Sequence, residues 1–475
     1  MKSIRKKSLS TAHRFQGWVL IGIIALLAGV GVYLVFHSHA ASLTGDINTD
    51  GAVNGADLSI LASNYNKAGT FTLAQGDING DTHVTIIDLT LLAINWGSVG
   101  TTSSCTGVAL TNGQSDINSH GPNTTFCLSG VHNNWSLVPQ SGDQFIGDGT
   151  AVLDGTNTTQ FAFQGSASNV VLDHLEIRNY IPNVQQAAIA ATGSGWTLRS
   201  LQVHDNGTIC PTAAAGTTCG SGTGPGGTYG GDGSSLGNGW HITGGRYYNN
   251  RDNGLAGNGT NTVVDGAEVD HNNFIDDTYT KPNITCDFEA GGIKSVANGL
   301  TVTNSNIHDN ACRGLWTYIN ADGTTFTNNT VTNNWEEGIM IEISGAATIS
   351  GNTVSGNGFK TAFSHFNGCS DRLGSGIFIS TAGKTATSNG PILIYGNTVS
   401  GNCSAITGAD DNRGGSYELA NINIHDNNLI ASTNVLAHNY FGMFVTDGDD
   451  LATHNIIFGP NNTLSGSINY CKLSC

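Results

Sequence analysis

The sequence is poor in charged residues, and in basic residues above all. Charged residues make up 11% of the 475 positions, with 18 Lys and Arg against 35 Asp and Glu. Little charge combined with 38% hydrophobic residues excludes a disordered chain. Five of the 18 basic residues precede residue 15, which leaves 13 against the 35 acidic residues. Such a surface repels nucleic acid, and an anionic polysaccharide would need a bound cation, for which Ca²⁺ is the natural candidate.

The sequence also lacks Cys-x-x-Cys pairs and a phosphate-binding loop. Gly220 to Gly239 has no Lys-Ser/Thr ending and no strand-helix context, so no nucleotide site is expected there. In an exported protein, ten cysteines without such pairs indicate disulfides, with free structural thiols as the alternative. The separations along the chain suggest Cys105–Cys127, Cys210–Cys219, Cys286–Cys312, Cys369–Cys403 and Cys471–Cys475.

An uncharged stretch near the N-terminus predicts export. Residues 1–16 form a basic segment that we expect to stay in the cytoplasm, and residues 17–36 contain no charge. Twenty such residues can span a membrane, and the positive-inside rule places everything after residue 40 outside. Ser38-His39-Ala40 is also an acceptable cleavage site, so residues 17–36 are either a membrane anchor or a signal-peptide core. The protein is therefore predicted to be extracellular, anchored at the cell surface or secreted.

Two tandem loops carry the oxygen-rich pattern of a calcium site. In each, Asp or Asn occupies loop positions that a hard, multi-coordinate Ca²⁺ requires. The predicted ligands are Asp46, Asn48, Asp50, Asn54 and Asp57 in the first loop, and Asp77, Asn79, Asp81 and Asp88 in the second. The second loop departs from the pattern, with Thr82 where the first has Gly51.

Each loop leads into a short apolar segment, and this duplicated loop-helix over residues 43–98 resembles a type I dockerin domain. The resemblance implies a small α-helical module that binds Ca²⁺ and docks to a cohesin module through the helix faces that follow the loops. A calcium-stabilised spacer without a partner is the alternative. Dockerins usually accompany polysaccharide-degrading enzymes. Residues 99–104 then form a small, polar linker.

A glycine-apolar step recurs through the rest of the chain. It appears at Gly292, Gly314, Gly338 and Gly376, with period-2 apolar alternation between the copies. A repeat of about 22 to 24 residues is too short to bury its own core and must stack on its neighbours as a solenoid. Turn phrases ending in Asn recur with it, and we expect left-handed backbone at these Asn residues and an amide ladder between coils. Longer gaps predict loop insertions at residues 207–238, 274–288, 358–375 and 403–418.

This pattern resembles the right-handed parallel β-helix of polysaccharide lyases, pectin-type glycoside hydrolases and related surface proteins. The resemblance covers residues 105–475. It implies an all-β solenoid, but it leaves the activity open because the architecture also serves epimerases and non-catalytic adhesins. The paired-Asp signature of pectin-type hydrolases is not recognisable in this sequence.

The glycine register separates core positions from outward positions, since side chains alternate across a strand. Ile293, Leu315, Ile339 and Ile377 should fill the core. The opposite parity predicts a solvent-facing patch in which aromatic faces could hold pyranose rings, beside several charges. Its candidate substrate-binding residues are Trp316, Tyr318 and Trp335, and its candidate catalytic residues are Lys294, Glu289, Arg313, Glu337 and Glu342. In the alternative interpretation, loops cover the aromatics and the charges pair with one another.

Two mechanisms fit these residue types. In a lyase, Lys294 or Arg313 would remove the proton α to a uronate carboxylate, with Ca²⁺ held by the glutamates. In a hydrolase, Glu289 or Glu337 would act with Glu342 as the carboxylate pair. The histidines of the turns, His204, His271, His308 and His425, are expected to be solvated or capping. The prediction is an exported protein acting on polysaccharide, and the alternative is a non-catalytic glycan-binding surface protein or adhesin.

Overall fold

The structure is a computed structural model. It describes residues 45, 47, 55–67, 69–94, 105–209, 229–275, 279, 283, 286, 291–319, 321–359, 374–385, 390–410, 417–445 and 451–471. All of these belong to one unit, residues 39–475. The predicted membrane or signal segment at 17–36 and the linker at 99–104 lie outside the described residues. No described helix has the length and apolar character that crossing a membrane requires.

The calcium-loop module contains two short α-helices, α1 (Gly55–Asn64) and α2 (Ile86–Ile94), with a 3₁₀ turn at Leu73–Gln75 between them. Corresponding residues of the two repeats form its small core. That core contains Ile47, Leu61, Val84 and Leu92. The predicted loop-helix duplication is therefore present as two helices packed on one shared apolar cluster.

Most of the remaining described residues form three long parallel sheets, as a solenoid requires, with a short helix α3 (Gln114–Ser119) near the start. Sheet 1 contains, in spatial order, β1 (Val108–Ala109), β2 (Thr125–Leu128), β4 (Gln144–Gly147), β7 (Val171–Asp173), β10 (Thr197–Arg199), β13 (His241–Thr243), β16 (Val263–Asp265), β19 (Thr301–Thr303), β22 (Thr324–Thr327), β25 (Ala347–Ser350), β29 (Ile392–Tyr395), β33 (Ile422–His425) and β36 (Ile456–Phe458). Sheet 2 contains β3 (Val131–Asn133), β5 (Val152–Asp154), β8 (Glu176–Arg178), β11 (Gln202–His204), β14 (Arg246–Tyr248), β17 (Glu268–Asp270), β20 (Asn306–His308), β23 (Thr330–Thr332), β26 (Thr353–Ser355), β30 (Thr398–Ser400), β34 (Asn428–Ile430) and β37 (Thr463–Ser465).

Sheet 3 contains the repeated glycine-apolar strands. Its members are β6 (Phe163–Gly165), β9 (Ala187–Ala191), β12 (Asp232–Ser235), β15 (Leu255–Gly257), β18 (Ile293–Ser295), β21 (Leu315–Tyr318), β24 (Ile339–Glu342), β27 (Ser375–Ser380), β31 (Ser404–Ala409), β35 (Tyr440–Phe444) and β38 (Asn469–Cys471). One antiparallel pair, β28 (Gly383–Lys384) with β32 (Glu418–Leu419), lies outside the three sheets. The chain passes through sheets 1, 2 and 3 in turn, so the predicted parallel β-helix is confirmed.

The register predicted from the glycines is also confirmed. Ile293, Leu315, Ile339 and Ile377 are partners on adjacent strands and are fully buried in one continuous core. Two predicted loop insertions are wrong in part, because they contain β12 and β31. Small and polar residues such as Gly233, Ser234 and Gly408 hide the period-2 pattern in those strands.

The disulfides Cys105–Cys127 and Cys286–Cys312 confirm two of the predicted pairs. Cys403 is also disulfide-bonded. The cysteine predicted as its partner, Cys369, lies outside the described residues. So do Cys210, Cys219 and Cys475, which leaves those two pairings as predictions.

Candidate functional site

The outward side chains of sheet 3 change in size along the solenoid. In the register of the strands the column contains Ser235, Ala256, Lys294, Trp316, Met340, Phe378 and Thr407. The residues before Lys294 are small, and the three that follow it are large. Strands of one sheet lie about 4.8 Å apart, so this change in size leaves open space on one side of Lys294 and fills it on the other.

A cavity of about 470 Å³ lies over the small half of this column. Ala190, Ser235 and Ala256 line it together with two charged residues, Asp232 and Lys294. Its lining also includes three side-chain amides, those of Gln185, Asn238 and Asn258. A concave site with a few convergent polar groups is the usual form of a ligand site. We take this cavity as the candidate functional site.

The carboxylate of Asp232 is held in place by its neighbour in the next coil. The backbone N–H and the side-chain amide of Asn253 donate to Asp232 Oδ1 at 3.0 and 2.9 Å. The backbone N–H of Gly291 in turn donates to Asn253 Oδ1 at 2.9 Å. Asp232 is not among the predicted site residues, because the sequence predicts a loop over residues 207–238. Extending the glycine register back to Gly254 and Gly233 would have found it.

The large half of the column does not face solvent, so that prediction is wrong. The side chains point away from the core as the register requires, but Lys294, Trp316, Met340, Phe378 and Glu342 are all buried. Trp316, Met340 and Phe378 form an apolar cluster separate from the main core, with Tyr318 packed against it. The alternative, in which the aromatics are covered, agrees with this burial.

Charged side chains lie close to the Trp316 ring. The ammonium of Lys294 lies 4.7 Å from the Trp316 ring centroid, and the guanidinium of Arg313 lies 4.6 Å from it. The indole N–H donates to Glu342 Oε2 at 3.2 Å. These cation–π and hydrogen-bond contacts join five of the predicted site residues into one group, since Tyr318 also lies 5.2 Å from Trp316 between ring centroids.

Arg313 is bound between two glutamates of the neighbouring coil. Its Nε donates to Glu337 Oε2 at 3.0 Å, and its Nη2 lies 3.3 Å from Glu336 Oε2. Burial of Arg313 lowers its pKa, but the carboxylates of Glu336, Glu337 and Glu342 outweigh that effect and raise the pKa above its usual value. The guanidinium is thus fully protonated, which suits it to positioning and charge balance rather than to accepting a proton.

Two further predicted site residues do not join this group in the described residues. Trp335 packs in a different cluster with Phe274 and Ala311, and its ring lies 5.2 Å from that of Phe274. Glu289 lies outside the described residues, so its proposed roles as acid, base or metal ligand stay predictions.

Strained backbone lies beside the same strands. The residues that follow Tyr318, Glu342 and Ser380 are β-branched and have left-handed φ values. They are Ile319 (φ 51°), Ile343 (φ 45°) and Thr381 (φ 44°). A β-branched residue in this region is a true outlier that costs on the order of 1–3 kcal/mol, and such strain concentrates at functional sites. Three stacked outliers therefore support this end of the sheet 3 strands as part of the site.

The second calcium loop has the donor set that Ca²⁺ prefers. Asp77, Asn79, Asp81 and Asp88 turn their side-chain oxygens toward the same loop, where backbone N–H groups of Asp81 and Thr82 already donate to Asp77 at 3.1 and 2.8 Å. Asp88 Oδ1 accepts from the backbone of Ile78 at 2.8 Å. These residues fit Ca²⁺, which would neutralise the clustered carboxylates and fix the loop. In the first loop, Asp57 is buried, while Asp46, Asn48, Asp50 and Asn54 lie outside the described residues.

A comparison with protein families gives a match in the N-terminal part of the chain. Residues 44–93 match the Dockerin type I domain family, which confirms the dockerin resemblance for that part of the chain. Proteins of this family typically bind Ca²⁺ and dock to cohesin modules. The search of curated proteins gave no match.

Solved structures similar to this chain are parallel β-helix proteins that are described as enzymes acting on polysaccharides. The periplasmic alginate epimerase AlgG is 12% identical, with a TM-score of 0.44 over 78% of this chain and 83% of AlgG. A GH87 α-1,3-glucanase from Streptomyces thermodiastaticus is 12% identical, with a TM-score of 0.48 over 79% of this chain and 71% of the glucanase. A PL6 alginate lyase is 11% identical, with a TM-score of 0.36 over 78% and 86%. Similarity at this level carries no argument about the reaction of the present chain.

Proposed function

We propose that this protein is an exported carbohydrate-active enzyme that acts on a uronate-containing polysaccharide at the sheet 3 cavity, as a lyase. The observation that carries the proposal is the cavity itself, which Lys294 and Asp232 both line, at the point at which small outward residues give way to Trp316. The partly buried Tyr318 and the strained residues beside it extend the same surface.

A lyase fits the charges at the cavity better than a hydrolase does. A hydrolase needs two carboxylates facing the glycosidic bond. Among the described residues that line the cavity, one carboxylate, Asp232, stands with one cation, Lys294. In β-elimination, the base in its neutral form takes the proton from the carbon next to the uronate carboxylate, a carbon–carbon double bond forms, and the bond to the glycosidic oxygen breaks. That oxygen leaves with a proton from the newly protonated base or from water. We assign the role of the base to Lys294 and the orientation of the substrate to Asp232. Arg313, Glu337 and Glu342 support the site as the charged group around Trp316.

Product chemistry tests this assignment. We expect the full chain to release ultraviolet-absorbing unsaturated products from a uronate polysaccharide, and Lys294→Ala to lower kcat by about 100-fold or more, as loss of a general base does. Lys384→Ala is the matched control, because Lys384 pairs with Glu418 across the antiparallel β28–β32 pair, which lies outside the three sheets. New reducing ends without ultraviolet absorbance would instead indicate a hydrolase. Binding without product on any neutral or uronate polysaccharide, with and without Ca²⁺, would leave the glycan-binding alternative.

We further propose that the dockerin-type module docks to a cohesin through the start of α2. Ile86 and Ile87 lie at the start of α2, directly before the last predicted ligand Asp88, and are 60% and 51% exposed, so two adjacent large apolar side chains are in water. An exposed apolar patch of this kind marks an interaction surface. Ile86→Asp with Ile87→Asp should weaken cohesin binding in calorimetry, while Leu73→Asp, at another exposed apolar position of the module, should leave it unchanged. Equal loss for both variants would contradict this surface.

Export is part of the proposal. The disulfides at Cys105–Cys127 and Cys286–Cys312 require an oxidising compartment, which supports placing the solenoid outside the cytoplasm. The mass of the N-terminal peptide, measured on protein from the producing cell, separates a retained anchor at residues 17–36 from a cleaved signal peptide. Recovery of the reduced protein from the cytoplasm would contradict export.

A further inference from the structure

Sheet 2 carries a second cluster of ionisable side chains, on another sheet of the solenoid than the cavity. Asp270 ends β17, His271 follows it, and His308 ends the adjacent strand β20. Ligand atoms of these three residues lie within 4.8 Å of one another. The prediction that the turn histidines are solvated or capping is wrong for His308 and for His204, whose side chains are 17% and 10% exposed and each contact two carboxylates.

The neighbours of the cluster hold its rings in fixed orientations. His308 Nδ1 lies 2.8 Å from Asp309 Oδ2, and His308 Nε2 lies 3.2 Å from Glu268 Oε1. His271 Nδ1 lies 2.6 Å from Asp270 Oδ2. A carboxylate on one ring nitrogen fixes the orientation of a ligating imidazole. Both ring nitrogens of His308 have a carboxylate partner, so Asp309 would orient the ring and a metal at Nε2 would take the place of the proton shared with Glu268. The spacing of His308 Nε2 and Glu268 Oε1 is also close to the roughly 3.3 Å between ligands bound at about 2.0 Å in a tetrahedral site.

The charges of the cluster leave room for a divalent cation. Glu268, Asp270 and Asp309 contribute three negative charges, and Arg246 offsets one through hydrogen bonds of 2.8 and 2.6 Å to the two oxygens of Asp270. A metal ion that takes the place of the His308 proton leaves the histidines neutral, and two negative charges then remain for a divalent cation to balance. Asp270 Oδ2 also contacts His271 Nδ1, whereas Oδ1 keeps a lone pair beyond the one used by Arg246 Nε, so a bound cation and the guanidinium can share this carboxylate.

We propose that Asp270, His271 and His308, with Glu268 beside them, form a binding site for one divalent transition-metal ion of the Zn²⁺ type. Imidazole ligands select such ions, whereas the all-oxygen loops of the dockerin-type module select Ca²⁺. His271, the most exposed member at 27%, gives the ion access from solvent. The site is independent of the proposed lyase reaction at sheet 3.

The same sheet contains a natural control two coils away. His204 has the same two partners as His308, with Nδ1 2.7 Å from Asp205 Oδ2 and Nε2 3.3 Å from Glu176 Oε1. In the described residues, however, His204 belongs to no group of three metal-ligating side chains. His204 and His308 thus have equivalent carboxylate partners on their ring nitrogens. They differ because only His308 has Asp270 and His271 as additional possible metal ligands.

Cobalt titration tests the site. The full chain is stripped with chelator, returned to saturating Ca²⁺, and titrated with Co²⁺ while visible absorption is recorded. We expect one Co²⁺ per chain with the intense bands of a low-coordinate nitrogen and oxygen site, displaced by Zn²⁺. His271→Gln should weaken Co²⁺ binding by about 10-fold or more, as loss of a ligand does, while His204→Gln should not change it.

The choice of His271→Gln keeps the test valid if His308→Gln disturbs the fold, because His271 is partly exposed. Circular dichroism of both variants establishes folding. No Co²⁺ bands in the wild-type chain, or identical titrations for wild type and His271→Gln, would overturn the proposal and leave the cluster as an ionic network that stabilises sheet 2. Equal weakening by His204→Gln would likewise overturn it.

Discussion

Gly314, Gly338 and Gly376 are required by close packing and not by an unusual backbone. None of the three has a positive φ in the described backbone. A Cβ at Gly338 would instead lie 2.7 Å from Gly376 O, 2.8 Å from Asn357 Nδ2 and 2.8 Å from Val354 Cγ1. Gly314 and Gly376 meet the equivalent Asn and Val of their own next coils. The repeat visible in the sequence therefore records a steric constraint that recurs once per coil.

Gly338→Ala should destabilise the solenoid by about 1–3 kcal/mol, the usual cost of forcing an extra carbon into a packed core. Backbone and ladder atoms surround the added carbon, so the neighbours cannot simply rotate away. Urea unfolding of the full chain measures the change. Gly121→Ala is the control, since a Cβ at Gly121 would meet nothing within 4 Å. A Gly338→Ala variant as stable as Gly121→Ala would contradict the packing argument.

Thr82 is a residue-scale weakness of the second calcium loop. Its φ is +68°, a conformation that Gly adopts freely and that a β-branched residue adopts at a cost of about 1–2 kcal/mol. Thr82→Gly should therefore raise Ca²⁺ affinity in calorimetry by up to about 10-fold, because the relieved strain favours the bound loop. Thr82→Ala removes the hydroxyl but keeps the Cβ, so it should gain much less. An equal gain for the two variants would show that the hydroxyl, and not the backbone, limits affinity.

At the scale of elements, two ladders of side-chain amides join successive coils. Asn310 Nδ2 donates to Asn334 Oδ1 at 2.9 Å, and Asn334 Nδ2 donates to Asn357 Oδ1 at 3.0 Å. A second ladder between sheets 1 and 2 includes Asn352 and Asn397, 2.9 Å apart between Nδ2 and Oδ1. The predicted ladder is confirmed, but the left-handed residue is the one that precedes each of these Asn residues, as in Asp309, Asn333 and Gly356.

Asn334→Asp tests the ladder with almost no change in shape. Asn334 Nδ2 donates to Asn357 Oδ1 and Ile307 O, so an Asp oxygen there would face two acceptors in a buried site. We expect a loss of about 3–5 kcal/mol, as for an unpaired buried charge. Asn333→Asp is the control, because its neighbour in the preceding coil, Asp309, already has the same left-handed conformation. Similar melting temperatures for Asn334→Asp and wild type would contradict the ladder's role.

For the whole molecule, the sequence predicts repeats far better than it predicts the site. The Gly338-Ile339 step repeats because each coil meets the same neighbours, so local pattern and tertiary packing agree there. Asp232 escaped prediction because its strand, Asp-Gly-Ser-Ser, has no apolar alternation. The glycine register predicts the correct face for Trp316. Its burial, however, depends on side chains such as Arg313, which lies outside the outward column of sheet 3. The period of the sequence pattern identifies the face of the sheet on which a side chain lies. Whether that side chain is buried depends on contacts with residues that do not repeat along the chain.

Two of the apolar clusters in the described residues lead to a prediction about how the chain unfolds. Ile47, Leu61, Val84 and Leu92 form the core of the calcium-loop module, and the main cluster of the solenoid contains none of these residues. Four buried side chains cannot stabilise a module alone, since a small core supplies only about 3–5 kcal/mol at best. Ca²⁺ should therefore supply much of its folding free energy by neutralising carboxylates such as Asp88.

Chelation should accordingly unfold the module and leave the solenoid folded. We expect calorimetry in Ca²⁺ to show two transitions, of which the smaller disappears in chelator and returns when Ca²⁺ alone is added back. Asp88→Ala should lower the smaller transition even in Ca²⁺, because Asp88 also accepts the backbone N–H groups of Ile78 and Thr85 at 2.8 Å each. The larger transition should not move, since the sheets contain no ligand from either loop. A solenoid transition that shifts with Ca²⁺ as much as the module's would show that the two parts fold as one unit.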